Sequence, residues 1–207
     1  MTGKIKVLIV DDHAILRLGL SSLLKTKKDI EVAGVAEDGK TAITLTAKCK
    51  PDVVIMDLMM PGMSGIEATG LITKSAPKSK VLILTSFSAS DGITKAIKAG
   101  ATGAILKSTP FPDLVEAIRT VATGGKYIAP EIQRIMADDP PLPALSPRQM
   151  EILESMVRGL SSRDIATQLG ISHDMVREHS TQLFAKLGAA NRTEAVAIAL
   201  RKHLLKI

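Results

Sequence analysis

The chain has 207 residues, of which 45% are apolar, and a formal net charge of +6. That size admits one large domain or two ordinary ones with well-packed cores, and the composition excludes a disordered chain. A lone Cys49 excludes an internal disulfide and a multi-cysteine zinc site, which suits a reducing, cytoplasmic setting with Cys49 as a packing residue.

Five short β-type runs come first, at Ile5 to Val10, Ile30 to Ala36, Val53 to Asp57, Val81 to Thr85 and Ala104 to Lys107. Between them, apolar residues recur at helical spacing: Ile15, Leu18, Leu20, Leu23 and Leu24, then Ile66, Thr69, Leu71 and Ile72, then Ile93, Ala96 and Ile97. Ser64 with Glu67 predicts a capping box, and Thr109 predicts a cap before Pro110 at the first helical position. Near-continuous apolar strands joined by helices predict a parallel sheet covered on both faces. The stretch ADDPPLPA, Ala137 to Ala144, then breaks the pattern with three prolines and predicts a semi-rigid linker able to span about 25 Å.

Beyond the linker the periodicity is purely helical. Ser146 with Gln149 predicts a capping box around Pro147, and Gly159 a stop. A second helix opens at Ser161 or Ser162 and stops at Gly170, a third runs from Ser172 to Gly188, and a fourth opens at Asn191 with Glu194 three residues on. No apolar run approaches membrane-spanning length, and Val7 to Val10 is too short for a signal-peptide core. The basic balance suits a nucleic-acid partner but localises nothing. From Ala144 onward 9 Lys and Arg face 6 Asp and Glu, and 18 face 15 before it, so each part carries +3.

The stretch VLIVDD sets two adjacent carboxylates, Asp11 and Asp12, at the end of a buried strand, where mutual repulsion and desolvation both oppose them. Asp57 ends the third run, Thr85 the fourth and Lys107 the fifth. In an open parallel sheet these positions share the carboxyl edge, where such folds place their ligand crevice. Three carboxylates, a hydroxyl and an amine therefore converge, and a hard divalent cation such as Mg2+ would offset the repulsion. His13 reads as part of the helix start.

With these residues in that order, residues 4 to about 125 resemble the receiver domain of a bacterial two-component response regulator. The resemblance implies an α/β flavodoxin-like fold, a doubly wound five-stranded parallel sheet, with Asp57 as phosphoryl acceptor. It implies that Asp12, Asp57 and the backbone carbonyl of Met59 bind Mg2+ directly, that Asp11 acts largely through water, and that Thr85 and Lys107 contact the phosphoryl oxygens. It further implies that Thr85 is drawn toward the added charge and that the surface near the fourth helix and fifth strand changes its pairing preference. The sequence departs from the family at Ala104, three before Lys107, where an aromatic residue usually reads out phosphorylation. Phe87 or local helix shifts are the substitutes.

The segment LSPRQMEILESMVRGLSSRDIATQLGISHDMVREHSTQLFAKLGAANRTEAVAIA, Leu145 to Ala199, resembles the LuxR-type helix-turn-helix domain of the NarL/FixJ class of response regulators. Departures are Gln149 for a usual glutamate, Met175 for a usual threonine or similar residue and Gln182 for a common asparagine. Val176, Leu183 and Leu187 form one stripe of the third helix, expected to pack on Ile165, Leu169 and the first helix. The other face, with Asp174, Arg177, Glu178, Thr181 and Ala185, would enter the major groove, with Lys186 adding positive charge and Arg163 and Arg192 as phosphate anchors. His179 reads equally as a half-buried structural residue or a phosphate contact.

The expected organisation is a receiver at residues 1–125, a linker at 126–144 and a small all-α helix-turn-helix domain at 145–207. The expected function is a transcriptional regulator phosphorylated on Asp57 by a sensor histidine kinase and binding promoter DNA as a homodimer. A receiver-like module that works through protein contacts without phosphorylation is the alternative. A phosphatase with an aspartyl nucleophile would need a second acidic catalyst close after Asp57, and Met59 supplies none.

Overall fold

The computed structural model describes residues 3–86, 90–138, 142–202 and 204–205. They fall in two compact units, Met1–Pro140 and Pro141–Ile207. The first alternates strands and helices: β1 (Ile5–Val10), α1 (Ala14–Lys25), β2 (Ile30–Ala36), α2 (Gly39–Cys49), β3 (Val53–Met56), α3 (Gly65–Ser75), β4 (Lys80–Thr85), α4 (Ser90–Lys98), β5 (Gly103–Leu106) and α5 (Phe111–Ala122). Two further elements, β6 (Tyr127–Ile128) and α6 (Pro130–Asp138), complete it. The sheet is parallel throughout, in the order β2-β1-β3-β4-β5-β6. Val7 to Val10, Val53 to Met56 and Val81 to Leu84 are all buried, as strands covered on both faces require.

The sheet thus has six strands rather than five, and residues 127–138 are folded rather than linker. Two residues are too few to show a strand period. β6 forms because Gly103 opposite it has no side chain: a Cβ there would stand 2.7 Å from the Tyr127 carbonyl oxygen. Gly103 pairs with Tyr127 and Ala104 with Ile128, and Ala129 N donates to Ala104 O at 3.0 Å. α6 then packs against α4 and β5, with Ile132 fully buried. The face near the fourth helix and fifth strand, expected to be a pairing surface, is where α6 lies.

Two local expectations are also corrected. The N-cap of α5 is Pro110, with no side-chain cap; Thr109 instead closes a turn through its N–H to Leu106 O at 3.0 Å. On α1 the inward stripe is Leu16, Leu20 and Leu24, at four-residue spacing, while Ile15 is 87% and Leu18 70% exposed. The capping box of Ser64 with Glu67 is present as expected.

The second unit consists of α7 (Pro147–Val157), α8 (Ser162–Leu169), α9 (His173–Leu187) and α10 (Arg192–Arg201). Ser146, Ser161, Ser172 and Asn191 cap them, the first two through full capping boxes. Val176, Leu183 and Leu187 pack with Ile152, Leu153, Ile165 and Ile198 in a core of their own, and Leu169 packs against it. No described helix is long and apolar enough to cross a membrane.

Candidate functional site

The acidic pocket is built by strand ends. Asp11 follows β1, Asp57 follows β3, Thr85 closes β4 and Lys107 follows β5. Backbone hydrogen bonds carry the ladder past the strands: Asp57 N to Val10 O (2.9 Å), Lys107 N to Thr85 O (2.8 Å) and Asp11 N to Ala36 O (3.2 Å). They fix the backbone from which each functional side chain projects. On the far side of Asp57, α3 begins at Gly65, where a Cβ would drive into the Asp57 carbonyl oxygen.

Lys107 Nζ donates to Asp57 Oδ2 at 2.9 Å and stands 2.6 Å from Asp11 Oδ2 in a charge contact off the hydrogen-bonding direction. Asp11 and Asp57 are almost fully buried, at 1% and 3% exposure. Burial pushes the Asp57 carboxyl above its ordinary range, with the nearby Asp11 charge adding to it, against the opposing pull of Lys107. For Lys107 the desolvation that would lower its pKa is outweighed by the close contacts and charges of Asp11 and Asp57, and the ammonium is held above its usual range. Lysine therefore compensates part of the carboxylate repulsion that sequence reasoning left to a cation.

His13 and Arg17 belong to the same pocket, and the residue pattern gave little sign of either. His13 is the N-cap residue of α1 but makes no side-chain cap. Its N–H donates to Asp11 Oδ1 (2.8 Å), and its ring Nδ1 lies 2.8 Å from Asp12 Oδ1 and 3.1 Å from Asp11 Oδ1. His13 thus stands at the helix start as expected, and its ring also reaches both carboxylates, for which its place directly after them was the available signal. Arg17 Nη1 donates to the Asp11 carbonyl at 2.6 Å, which steadies the loop.

Ligand atoms of Asp11, Asp12, His13 and Asp57 lie within 4.8 Å of one another. Asp12 Oδ1 is shielded from water and accepts no hydrogen bond, its contact with His13 being poorly aligned. A shielded, unsatisfied carboxylate oxygen in a cluster of oxygen donors fits a hard divalent cation. Met59 N lies 3.5 Å from Asp57 Oδ1, and its side chain reaches solvent, the residue being 55% exposed. Thr85 is buried at the end of β4, and Ala104 is buried in the core of β5. Phe87 lies outside the described residues.

In the second unit, Asp174, Arg177, Glu178 and Thr181 line one open cleft on α9 together with Gln182, one of the departures from the family. Gln182 Nε2 donates to Glu178 Oε1 (3.3 Å), and Gln149 Nε2 donates to Gln182 Oε1 (3.4 Å), so Glu178 is held through a side-chain chain. Arg163 is exposed on α8. Lys186 and Arg192 are occupied within the domain. Lys186 Nζ donates to Ala144 O (3.0 Å) and Gln149 Oε1 (2.9 Å), and Arg192 Nη2 to Met156 O (3.0 Å). His179 is half-buried, with a shielded Nδ1 that has no partner.

Comparison with known proteins agrees with this geometry. Residues 7–119 match the family model of the response regulator receiver domain, and residues 143–199 that of bacterial regulatory proteins of the luxR family. Response regulator protein VraR of Staphylococcus aureus is 39% identical over 207 residues, covering 98% of this chain and 99% of its own. The crystal structure of response regulator ChrA, of a heme-sensing two-component system, is 38% identical with a TM-score of 0.60, covering 98% of this chain and 100% of that one. RcsB from Salmonella enterica serovar Typhimurium, bound to a promoter in the presence of phosphomimetic BeF3−, is 25% identical with a TM-score of 0.71, covering 96% and 99%. The chain belongs to the response regulators of two-component systems, with a receiver followed by a LuxR-type helix-turn-helix DNA-binding domain, as in the NarL/FixJ class.

Proposed function

We propose that a sensor histidine kinase phosphorylates Asp57 and that the phosphorylated chain binds promoter DNA as a homodimer, in the cytoplasm, to regulate transcription. The observation that carries this reading is Lys107 spanning Asp11 and Asp57, beside a shielded Asp12 oxygen with no hydrogen bond. Asp11, Asp12, Asp57 and the backbone carbonyl of Met59 would hold Mg2+, which when bound supplies positive charge to the phosphoryl oxygens. An Asp57 carboxylate oxygen bonds to phosphorus as the bond from phosphorus to the kinase histidine breaks and its electron pair returns to the imidazole. Lys107 neutralises an equatorial phosphoryl oxygen, and the Thr85 hydroxyl donates to another. On this reading the receiver runs through α6, and the protein performs no turnover beyond gaining and losing its own phosphoryl group.

For the DNA-binding unit we propose that α9 lies in the major groove, with Arg177 and Glu178 toward base edges, Asp174 and Thr181 beside them, and Arg163 on phosphate. The occupied Lys186 and Arg192 would shape the domain unless DNA draws them from their carbonyls. Treatment with acetyl phosphate and Mg2+ followed by mass spectrometry tests the acceptor: the adduct should map to Asp57 and vanish in Asp57→Asn, and an adduct elsewhere sinks the assignment. Site-selection sequencing tests the helix. Glu178→Ala should relax preference at one base pair per half-site, worth about 1 to 3 kcal/mol. Arg163→Ala should weaken all sequences alike and flatten the salt dependence. Unchanged preference in Glu178→Ala would show that this face reads no base there.

A further inference from the structure

α6 is a one-sided and weakly anchored helix. Of its nine residues, Ile132 is fully buried and Ile135 and Met136 partly so, while Glu131, Gln133, Arg134 and Ala137 face solvent. Its attachment is completed by the short β6 ladder, the Ala129 N to Ala104 O bond, and Gln133 Nε2 donating to Ile128 O at 2.8 Å. So short a helix is marginal in water on its own, and its helicity depends on remaining docked.

Its docking surface is shared by α4, the element that follows β4 along the chain, and β5, whose end carries Lys107 into the pocket. α4 starts five residues after Thr85, and β5 leads into Lys107, whose N–H is bonded to the Thr85 carbonyl. Ala104, on β5, has no bulk to rotate, so a change at Thr85 and Lys107 has the backbone ladder and α4 as its routes outward. The ladder leads from β5 to β6, and both routes meet at α6. Downstream, α6 ends at Asp138, and the proline-rich stretch to α7 follows.

We propose that α6 is the receiver's output element: it is docked on α4 and β5 while Asp57 is unmodified and released when Asp57 carries a phosphoryl group. The proposal rests on the phosphorylation reading given above. A phosphoryl group that draws Thr85 inward moves the end of β4, and α4 with it, relative to β5. A rigid helix seated mainly through Ile132 cannot follow two halves of a diverging surface, so the undocked state gains population. Release then adds the α6 segment to the tether ahead of the DNA-binding domain, while β1 to α5 keep their fold.

Hydrogen exchange on the full chain, before and after acetyl phosphate and Mg2+, tests this, with intact mass read on the same sample. The amides of residues 133–138 should exchange about tenfold faster in the phosphorylated chain and be unchanged in Asp57→Asn treated alike. A phosphoryl adduct with α6 equally or better protected overturns the proposal and leaves the phosphorylation reading intact. Absence of any adduct overturns that reading and the proposal with it. Ile132→Ala should show the faster exchange without phosphorylation and bind DNA at close to the phosphorylated level. An opened α6 with DNA binding still at the resting level would show that α6 is not the output. Should that variant fail to fold, exchange on the natural chain decides alone.

Discussion

Asp57 carries a charge that its surroundings resist. Its folded pKa is raised, by burial above all, so its contribution to stability is fully present below the carboxylate's unfolded value and is lost as pH rises through the folded one. Without a divalent cation, Asp57→Asn should therefore be more stable than the parent at neutral pH, by on the order of 1 kcal/mol, while Lys107 keeps Asp11 as its partner. The gap should close as pH falls toward about 4, and Mg2+ should stabilise the parent more than the variant. Urea denaturation across that range checks it; a variant less stable at neutral pH would mean that the Lys107 contact outweighs the burial cost. Met59 governs a different property. An exposed thioether beside the acceptor can neither orient nor activate the water that hydrolyses an acyl phosphate, so self-dephosphorylation should be slow. Met59→Asn should shorten the lifetime roughly tenfold, followed by loss of the adduct with time.

At the turn between β3 and α3, Gly65 is tied to the site by contact rather than chemistry. Its N–H donates to Leu58 O at 3.0 Å, and an added Cβ would overlap the Asp57 carbonyl, a backbone atom that cannot swing aside. Gly65→Ala should cost roughly 2 to 4 kcal/mol and slow phosphorylation by displacing Asp57, visible as a lower urea midpoint together with a slower adduct build-up. A variant with the parental midpoint would show that α3 shifts freely. Much of this level was legible in the residues. β1 and β2 run over the expected Ile5 to Val10 and Ile30 to Ala36, because dense β-branched runs between turn residues mark their own ends. The serine caps of α7 and α9 were equally plain, since a short side chain that accepts from a backbone N–H three residues on leaves a local mark, while for α8 the sequence left Ser161 and Ser162 open and the cap is Ser161. β6 left no such mark, its partner being found through the missing side chain of Gly103. α6 was obscured by the neighbouring prolines although Ile132, Ile135 and Met136 have helical spacing. The convergence of the acids with Lys107 followed from strand ends. The roles of His13 and Arg17, and the internal bonds of Lys186 and Arg192, depend on side-chain directions that spacing does not encode.

For the molecule as a whole, each unit has a hydrophobic core of its own, so each is expected to hold its fold without help from the other. The positive charge is also divided equally, so on the proposed DNA contacts affinity would come from arrangement on α8 and α9 rather than from bulk charge. The short sixth strand matters here for solubility. Without β6 the outer N–H and C=O groups of β5 would be an open edge, and without α6 the apolar surface that receives Ile132 would be bare. Such an edge is a template for joining another molecule's strand. A fragment ending at residue 125 should therefore aggregate as its concentration rises, whereas one ending at residue 138 should stay dispersed, as light scattering on the pair would report. Two paired residues and a nine-residue helix thus act as a selvedge along the β5 side of the sheet.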